Sequence, residues 1–211
     1  MTDATAGALQ EPWADLETQR EGVGVGMWAF LMSEILFFAA LFCTYAVYRH
    51  FNPQAFRVAA AETEIFYGTA NTVILLTSSL TMTVALRAAT AQLRRLTIGC
   101  LAVTASLGIA FLAIKGIEYS DDIAKALVPG AGFSLSPPPT QLFWMLYWIM
   151  TGIHAVHLSA GVVVVIGVAL LFARNTIPVQ GSTMEGVAIY WHFVDSVWLI
   201  LFPLLYLGGR A

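Results

Sequence analysis

The stretch IYWHFVDSVWLILFPLLYLG, residues 189–208, decides the fold. It is long and apolar enough to cross a bilayer, which takes about 20 residues of helix. It nevertheless carries His192 and Asp195 among its apolar residues. A carboxylate at the centre of a bilayer costs about 3 kcal/mol on insertion scales, so such side chains usually face protein or water. The stretch therefore predicts a membrane-spanning helix with one face packed against other polypeptide.

The composition predicts an integral membrane protein. Of 211 residues, 58% are hydrophobic and 11% are charged, whereas an average soluble domain has about 25% charged residues. The net charge is −3, with ten lysines and arginines, too few for a surface that follows nucleic-acid phosphates. Cys43 and Cys100 lie in apolar segments without metal-ligand spacing, which predicts reduced thiols.

Five apolar stretches predict an all-α membrane protein with five transmembrane helices. Because a bilayer core of about 30 Å takes about 20 helical residues, the spans are predicted at 23–48, 65–86, 97–119, 142–172 and 187–207. The loops between them are short, so a single domain is expected over 22–211. Residues 1–21 form a polar, acidic tail without the features of a secretory signal.

The distribution of basic residues predicts the orientation. With five spans the chain ends lie on opposite sides of the membrane. The N-terminal side collects Arg20, Arg87, Arg94, Arg95 and Arg174, and the other side Arg49, Arg57, Lys125 and Arg210. Three residues of the first set crowd the shortest loop, which favours a cytoplasmic N-terminus and a periplasmic C-terminus.

Glu34 is a candidate functional residue of the first span. It stands in MWAFLMSEILFFAALF, about 16 Å into the span at a rise of about 1.5 Å per residue. A carboxyl group near the midplane is either protonated or bonded to a donor on another helix. It is therefore interpreted as a neutral packing residue or as a proton-relay carboxyl.

His154 and His157, in MTGIHAVHLSAG, share one face of the fourth helix because they are three residues apart. They are interpreted as a hydrogen-bonded structural pair, with Glu34 or another helix, or as proton-handling groups. Two imidazoles can also bind a metal, and His154 with His192 can hold a haem. A closed metal site needs three or four ligands, so this spacing alone is weak evidence for one.

Two further pairs are predicted to be structural. Lys115 and Glu118 are three residues apart near the end of the third helix, where a long amine can reach the interface and pair with the carboxylate. His192 and Asp195 share a face by the same spacing, so that Asp195 can orient the imidazole, and Trp198 follows three residues later. They predict an acidic, aromatic seam turned towards another subunit.

These motifs together resemble subunit III of the haem-copper terminal oxidases, the group of cytochrome c and quinol oxidases. The resemblance covers about residues 22–208 and is closest to the short five-helix bacterial forms. It is carried by YWHFVDSVWLILFPLLYL, by MWAFLMSEILFFAALF with Glu34, by GIEY with Glu118, by TGIHAVHLSAG, and by Glu185 before the last span.

The resemblance implies a non-redox subunit of an oxidase complex in the bacterial inner membrane, with no active site, metal, haem or copper of its own. Subunit I would be the main contact, with subunit II, small subunits, phospholipids and a supercomplex with a quinol-oxidising complex as further partners. The implied site residues are Glu34 with His154 and His157, a polar cluster of Lys115, Glu118, Glu185, His192, Asp195 and Trp198, and Arg174 for lipid phosphate.

The function expected from the resemblance is subunit III of a proton-translocating aa3-type cytochrome c oxidase. The subunit would pack on the catalytic subunit that reduces dioxygen to water, bind lipid, and support proton uptake and stability. A companion subunit of a quinol oxidase or a nitric oxide reductase is an alternative. Two alternatives of other classes are a stand-alone proton-coupled transporter using Glu34, Lys115 and Asp195, and a haem anchor using His154 and His192.

Overall fold

The computed structural model describes residues 16–136, 138–176 and 181–208. The prediction of an all-α protein with five spans is confirmed, because these residues contain no strand and five of their helices are long and apolar enough to cross a membrane. The elements are α1 (Leu16–Phe51), α2 (Pro53–Ala61), α3 (Ile65–Thr90), α4 (Arg94–Ala124), α5 (Pro139–Ala173), α6 (Gly181–Phe202) and a π-helical segment (Pro203–Leu207).

The helices extend beyond the predicted spans. α1 begins at Leu16, inside the predicted tail 1–21, and α4 continues to Ala124, past the predicted end at 119. A span prediction counts apolar residues, whereas backbone hydrogen bonding continues into the polar turns at the interface. Residues 1–15 of the predicted tail and Arg210 lie outside the described residues, and the orientation of the chain stays a prediction.

α2 was expected to be part of a loop. Pro53 stands at its first position, where the fixed φ of proline suits a helix and its missing N–H costs nothing. One face of this nine-residue helix is buried, through Ala55, Phe56, Ala59 and Ala60. It is too short to span a membrane, so a rule based on apolar length does not find it.

The contacts within the chain divide it into two units, Met1–Ala40 and Leu41–Ala211. The described part of the first unit is a single stretch of α1. Large apolar side chains are exposed on it, including Val25 at 69%, Trp28 at 59% and Leu36 at 71%. Glu34 also lies on this stretch and is half-buried. The stretch thus has the apolar surface of a helix surrounded by lipid or protein.

In the second unit, α3 to α6 form a four-helix bundle. α3 packs against α4 and α6, and α5 packs against the same two helices. Trp191 and Trp198 of α6 are fully buried inside this bundle. Trp191 Nε1 donates a hydrogen bond to Ser78 Oγ at 3.2 Å, and Trp198 Nε1 donates to Thr72 Oγ1 at 3.0 Å. Both indole hydrogens are therefore satisfied by α3.

Three of the long helices end in the same way. The second residue past each of these helices has a left-handed backbone, with φ of 58° at Gln92, 56° at Ala126 and 57° at Asn175. At the end of α3, the N–H of Leu93 then donates to Ala88 O at 2.8 Å, which is the Schellman arrangement. This bond satisfies a terminal carbonyl and turns the chain sharply, which explains how a short loop joins α3 to α4.

Close helix approach depends on glycine at Gly108 of α4. A Cβ atom there would lie 2.7 Å from Val162 Cγ2 of α5 and 3.0 Å from the Trp191 ring of α6. Neither neighbour has a flexible end that can move aside, because one is β-branched and the other is a rigid ring. Small residues let helices approach in this way inside membranes.

We expect Gly108→Ala to lower the free energy of unfolding by about 1–3 kcal/mol, because the added methyl overpacks the contact of three helices. Gly116→Ala is the matched control on the same helix, since a Cβ there meets nothing within 4 Å. Thermal unfolding in detergent measures both. A stability loss in the control as large as in Gly108→Ala would contradict the packing argument.

Candidate functional site

Lys115 and Glu118 form an ion pair inside the bundle. Lys115 Nζ lies 3.0 Å from Glu118 Oε2, and only 2% and 1% of their side-chain surfaces are exposed. Both residues are on one face of α4, as their spacing requires. The sequence predicts that Lys115 reaches the membrane interface. In the structure it does not, because its hydrogen-bond partners lie within the protein.

Three further polar side chains complete this group. Lys115 Nζ also donates to Tyr147 Oη at 2.9 Å and to Tyr206 Oη at 2.7 Å. Glu118 Oε1 lies 2.8 Å from Tyr147 Oη and 2.6 Å from Tyr206 Oη, and Asp122 Oδ2 lies 2.9 Å from Tyr147 Oη. These five side chains, named here the lysine network, join α4, α5 and the π-helical segment.

Aromatic rings surround the ammonium of the lysine network. Lys115 Nζ lies 4.6 Å from the ring centre of Tyr147, 5.0 Å from that of Tyr119 and 5.8 Å from that of Trp198. Rings at such distances attract a cation through their negative faces. The ammonium thus has charge-assisted hydrogen bonds and aromatic faces in place of water.

The sequence identified two of the five members of the lysine network. Asp122 was placed in a loop, although it follows Lys115 by seven residues and Glu118 by four, the spacing of one helix face. Extending α4 towards Pro129 and Gly130 would have revealed this. Tyr147 and Tyr206 carry no such signal, because they come from other parts of the chain.

His192 and Asp195 lie earlier on α6 than Trp198 and do not belong to the lysine network. His192 Nδ1 lies 2.8 Å from Ser79 Oγ of α3, which orients the ring. Asp195 was expected to orient this imidazole, but neither of its buried carboxylate oxygens has a hydrogen-bond partner within the described residues. His192 lies six residues before Trp198, about 9 Å along the helix at 1.5 Å per residue.

His154 is fully enclosed by aromatic side chains. Its ring centre lies 5.4 Å from that of Trp198 and 5.6 Å from that of Phe111. Neither ring nitrogen has a hydrogen-bond partner among residues that the structure describes. His157 Nδ1, by contrast, lies 2.9 Å from Ile153 O of its own helix. The predicted association of Glu34 with these two histidines stays a prediction.

Glu185 and Arg174 are exposed, at the ends of helices. Glu185 precedes Tyr206 by 21 residues in the sequence, or about 31 Å of helix. Of the six residues expected in one polar cluster, Lys115 and Glu118 pair on α4, and the Trp198 ring lies 5.8 Å from Lys115 Nζ. Glu185, His192 and Asp195 lie earlier on α6.

A second polar site lies near the end of α1. A pocket of about 480 Å³ is lined by three basic side chains, those of Arg49, His50 and Arg57, together with Tyr45 and Leu204. Arg49 also donates to Gly208 O at 2.7 Å. The pocket therefore combines positive charge with apolar walls.

An exposed ion pair lies beyond the end of α4. Lys125 Nζ is 2.9 Å from Glu64 Oε1, with 41% and 50% of the side chains exposed. The hydrogen bond to Glu64 raises the pKa of Lys125. This pair is the exposed counterpart of the buried Lys115–Glu118 pair.

Comparison with known proteins decides the family. The family model of cytochrome c oxidase subunit III matches residues 13–210. The chain belongs to this family. Subunit III is a non-redox subunit of haem-copper terminal oxidase complexes, whose cofactors belong to the partner subunits. Within the described residues, no group of three or more histidine, cysteine, aspartate or glutamate side chains is placed to hold a metal.

The relatives include subunits of two kinds of oxidase. The chain is 33% identical to cytochrome c oxidase subunit 3 of Thermostichus vulcanus, over 88% of this chain and 87% of that protein. It is 31% identical to cytochrome bo(3) ubiquinol oxidase subunit 3 of Pseudomonas aeruginosa, over 87% and 84%. The five spans and the family together make the chain a multi-pass membrane protein.

A third relative bears on the partner. The heme-copper oxidase subunit I+III of Aeropyrum pernix is 29% identical over 89% of this chain and 23% of its own length. Its name describes one chain that contains both subunits. Subunit III of this family associates with subunit I in haem-copper oxidases.

We expect Lys115→Met to lower the free energy of unfolding by about 3–5 kcal/mol, because it leaves a buried carboxylate without its counter-charge. Lys125→Met is the matched control and should cost at most about 1 kcal/mol, since its ion pair with Glu64 is exposed to screening. Thermal unfolding of both variants at neutral pH compares them. Equal losses would show that Lys115 is not held by the network.

Proposed function

We propose that this chain is subunit III of an aa3-type cytochrome c oxidase of the bacterial inner membrane. It packs on subunit I, where dioxygen is reduced to water, and stabilises that subunit during turnover. The observation that carries the packing on subunit I is the relative in which subunits I and III form one chain. A fused pair of subunits indicates that the two lie side by side in the assembled protein. Subunit II, small subunits and a supercomplex with a quinol-oxidising complex are further proposed partners.

The exposed apolar side chains of the bundle support this role. Val156 and Val163 of α5 are both 69% exposed, and Phe66 of α3 is 76% exposed. Such surfaces suit lipid or the helices of another membrane subunit. Most charged groups of the bundle interior are paired within the chain, so contact with subunit I would rest mainly on close packing.

We propose that the chain also supports proton uptake by the complex, through Glu34. Ionisable residues inside membrane spans are rare and often belong to proton or ion pathways. Glu34 lies within the first span and is half-buried. A half-buried carboxyl within a span can take up and release a proton, which is what the proposed role requires.

Phospholipid binding is the third part of the proposal. Arg174 is exposed after the end of α5, where a cation can meet a lipid phosphate. The pocket with Arg49, His50 and Arg57 offers three basic groups beside the apolar side chain of Leu204. Phosphate and acyl chain would thus each find a matching surface.

A quinol oxidase is the second candidate complex. The specific observation is that a ubiquinol oxidase subunit and a cytochrome c oxidase subunit resemble this chain about equally, at 31% and 33% identity. The electron donor reacts with other subunits, so subunit III itself carries little information about it. A stand-alone transporter loses its support because the chain belongs to a family of oxidase-complex subunits, and a haem anchor because that family is non-redox.

The proposal predicts which chains accompany this protein. Tagged protein, extracted gently from its native membrane, should co-purify with a haem-bearing subunit I and oxidise cytochrome c. An untagged strain controls for non-specific binding. Oxidation of ubiquinol instead of cytochrome c would select the second candidate, and a pure chain without any haem-bearing partner would contradict both.

The role of Glu34 predicts a difference between two variants. Glu34→Gln should assemble like the wild type, because the amide keeps the size and hydrogen bonding of a protonated carboxyl. Glu34→Ala should lose about 1–3 kcal/mol of stability by leaving a partner group unpaired. Proton uptake by the purified complex should be slower in both. Equal damage to assembly would indicate that the site needs a charge, and unchanged proton uptake would contradict the proposed role.

A further inference from the structure

The lysine network contains more hydrogen-bond contacts than its residues have hydrogens to fill. Six contacts of 2.6 to 3.0 Å link its five side chains. An ammonium supplies three hydrogens and each phenol supplies one. Two ionised carboxylates supply none. Five hydrogens cannot fill six contacts one to one, and a proton on one carboxyl group supplies the sixth.

The contact without a hydrogen of its own is one of those made by Tyr147. Its hydroxyl lies within hydrogen-bond distance of Lys115 Nζ, Glu118 Oε1 and Asp122 Oδ2. It accepts from Lys115 and can donate its single hydrogen to one carboxylate only. The other carboxyl must therefore donate to the phenol oxygen, which has a second lone pair for this purpose.

Asp122 is the better place for the additional proton. Glu118 receives three bonds, from Lys115, Tyr147 and Tyr206, which suits an ionised carboxylate. The side chain of Asp122 has a single hydrogen-bond partner in the described part of the chain, Tyr147. If Lys115 passed a proton to Glu118, the ion pair would become two neutral groups. The lysine network would still have the same number of hydrogens, and Asp122 would still carry its proton.

The charge balance leads to the same protonation state. Lys115, Glu118 and Asp122 are each at most 2% exposed, and a buried net charge is costly. One proton on the carboxyls makes the network neutral. Of the neighbouring groups, Tyr119 bonds Thr151, and Lys125 is balanced by Glu64 at the surface. Asp121 accepts a hydrogen bond from Tyr67 and keeps its negative charge, which favours a neutral carboxyl at Asp122.

We propose that the lysine network is a binding site for one proton. Asp122 Oδ2 holds this proton and donates a hydrogen bond to Tyr147 Oη. The proton comes from water and leaves to water, and its binding changes the network from one negative charge to neutral. Asp122 lies two residues before the end of α4, and its neighbour Asp121 is half-buried. The site is thus near one end of the bundle. This proposal is independent of the electron donor and of the oxidase type.

Infrared spectroscopy of the purified oxidase complex tests the site. A protonated carboxyl has a carbonyl stretch that is absent from a carboxylate and shifts in heavy water. We expect Asp122→Asn to remove one such band at neutral pH. Asp121→Asn is the matched control on the adjacent residue and should keep every band. In Tyr147→Phe the band should remain but shift, because its acceptor is lost.

A second measurement needs no substitution, in case Asp122→Asn does not accumulate. Heavy carbon in the carboxyl groups of all aspartates should shift the same band that moves in Tyr147→Phe, whereas the same label in glutamates should leave it in place; a band of Asp195 would not respond to Tyr147→Phe. A band that survives in Asp122→Asn, or that responds only to the glutamate label, would overturn the assignment. A wild-type protein without any aspartic acid band at neutral pH would overturn the proposed proton site itself.

Discussion

The structure depends on the requirement that a charge buried within membrane-spanning helices be balanced and hydrogen-bonded by the protein itself. Lys115 meets it with three acceptors, Glu118 on its own helix, Tyr147 on α5 and Tyr206 in the π-helical segment. These contacts fix the rotation of the helices relative to one another. A slip of one residue in α5 would turn Tyr147 by about 100° and remove it from the ammonium. The lysine network therefore specifies one arrangement of α4, α5 and the chain end.

Backbone carbonyls inside the membrane must also be hydrogen-bonded by the protein, and this requirement shapes the end of the last helix. Pro203 cannot continue regular α-helical hydrogen bonding, and the backbone becomes π-helical from this residue to Leu207. Tyr45 donates to Leu204 O at 2.7 Å, and Arg49 donates to Gly208 O at the same distance. Side chains from the end of α1 thus satisfy carbonyls that the irregular helix leaves open, as is required where helices are interrupted inside membranes. This segment also carries Tyr206, so its irregular backbone places one member of the lysine network.

Hydropathy and local spacing predicted the parts of the structure that depend on neighbouring residues. The five spans follow from apolar length, and the Lys115–Glu118 face follows from helical periodicity. The remaining members of the lysine network depend on contacts across helices, since Tyr147 and Tyr206 follow Lys115 by 32 and 91 residues. Asp122 was missed for a different reason, because it lies past 119, the predicted end of the third span, where two consecutive aspartates interrupt the apolar sequence. α2 was missed because nine residues cannot span a bilayer, although its buried face packs on α5.

The interior polar groups also limit how this subunit can hold its partner. The ion pair of the lysine network is saturated within the chain, so it contributes no charged contact to another subunit. α3 and α5 expose large apolar side chains, among them Phe66, Val156 and Val163. Lipid chains are as apolar as these side chains, so burial against another helix gains little from the hydrophobic effect, and association must come from fit and from interhelical packing. A subunit held in this way requires a rigid surface. The lysine network and the close contact at Gly108 supply that rigidity, which connects the buried charges of this chain to its place in the oxidase complex.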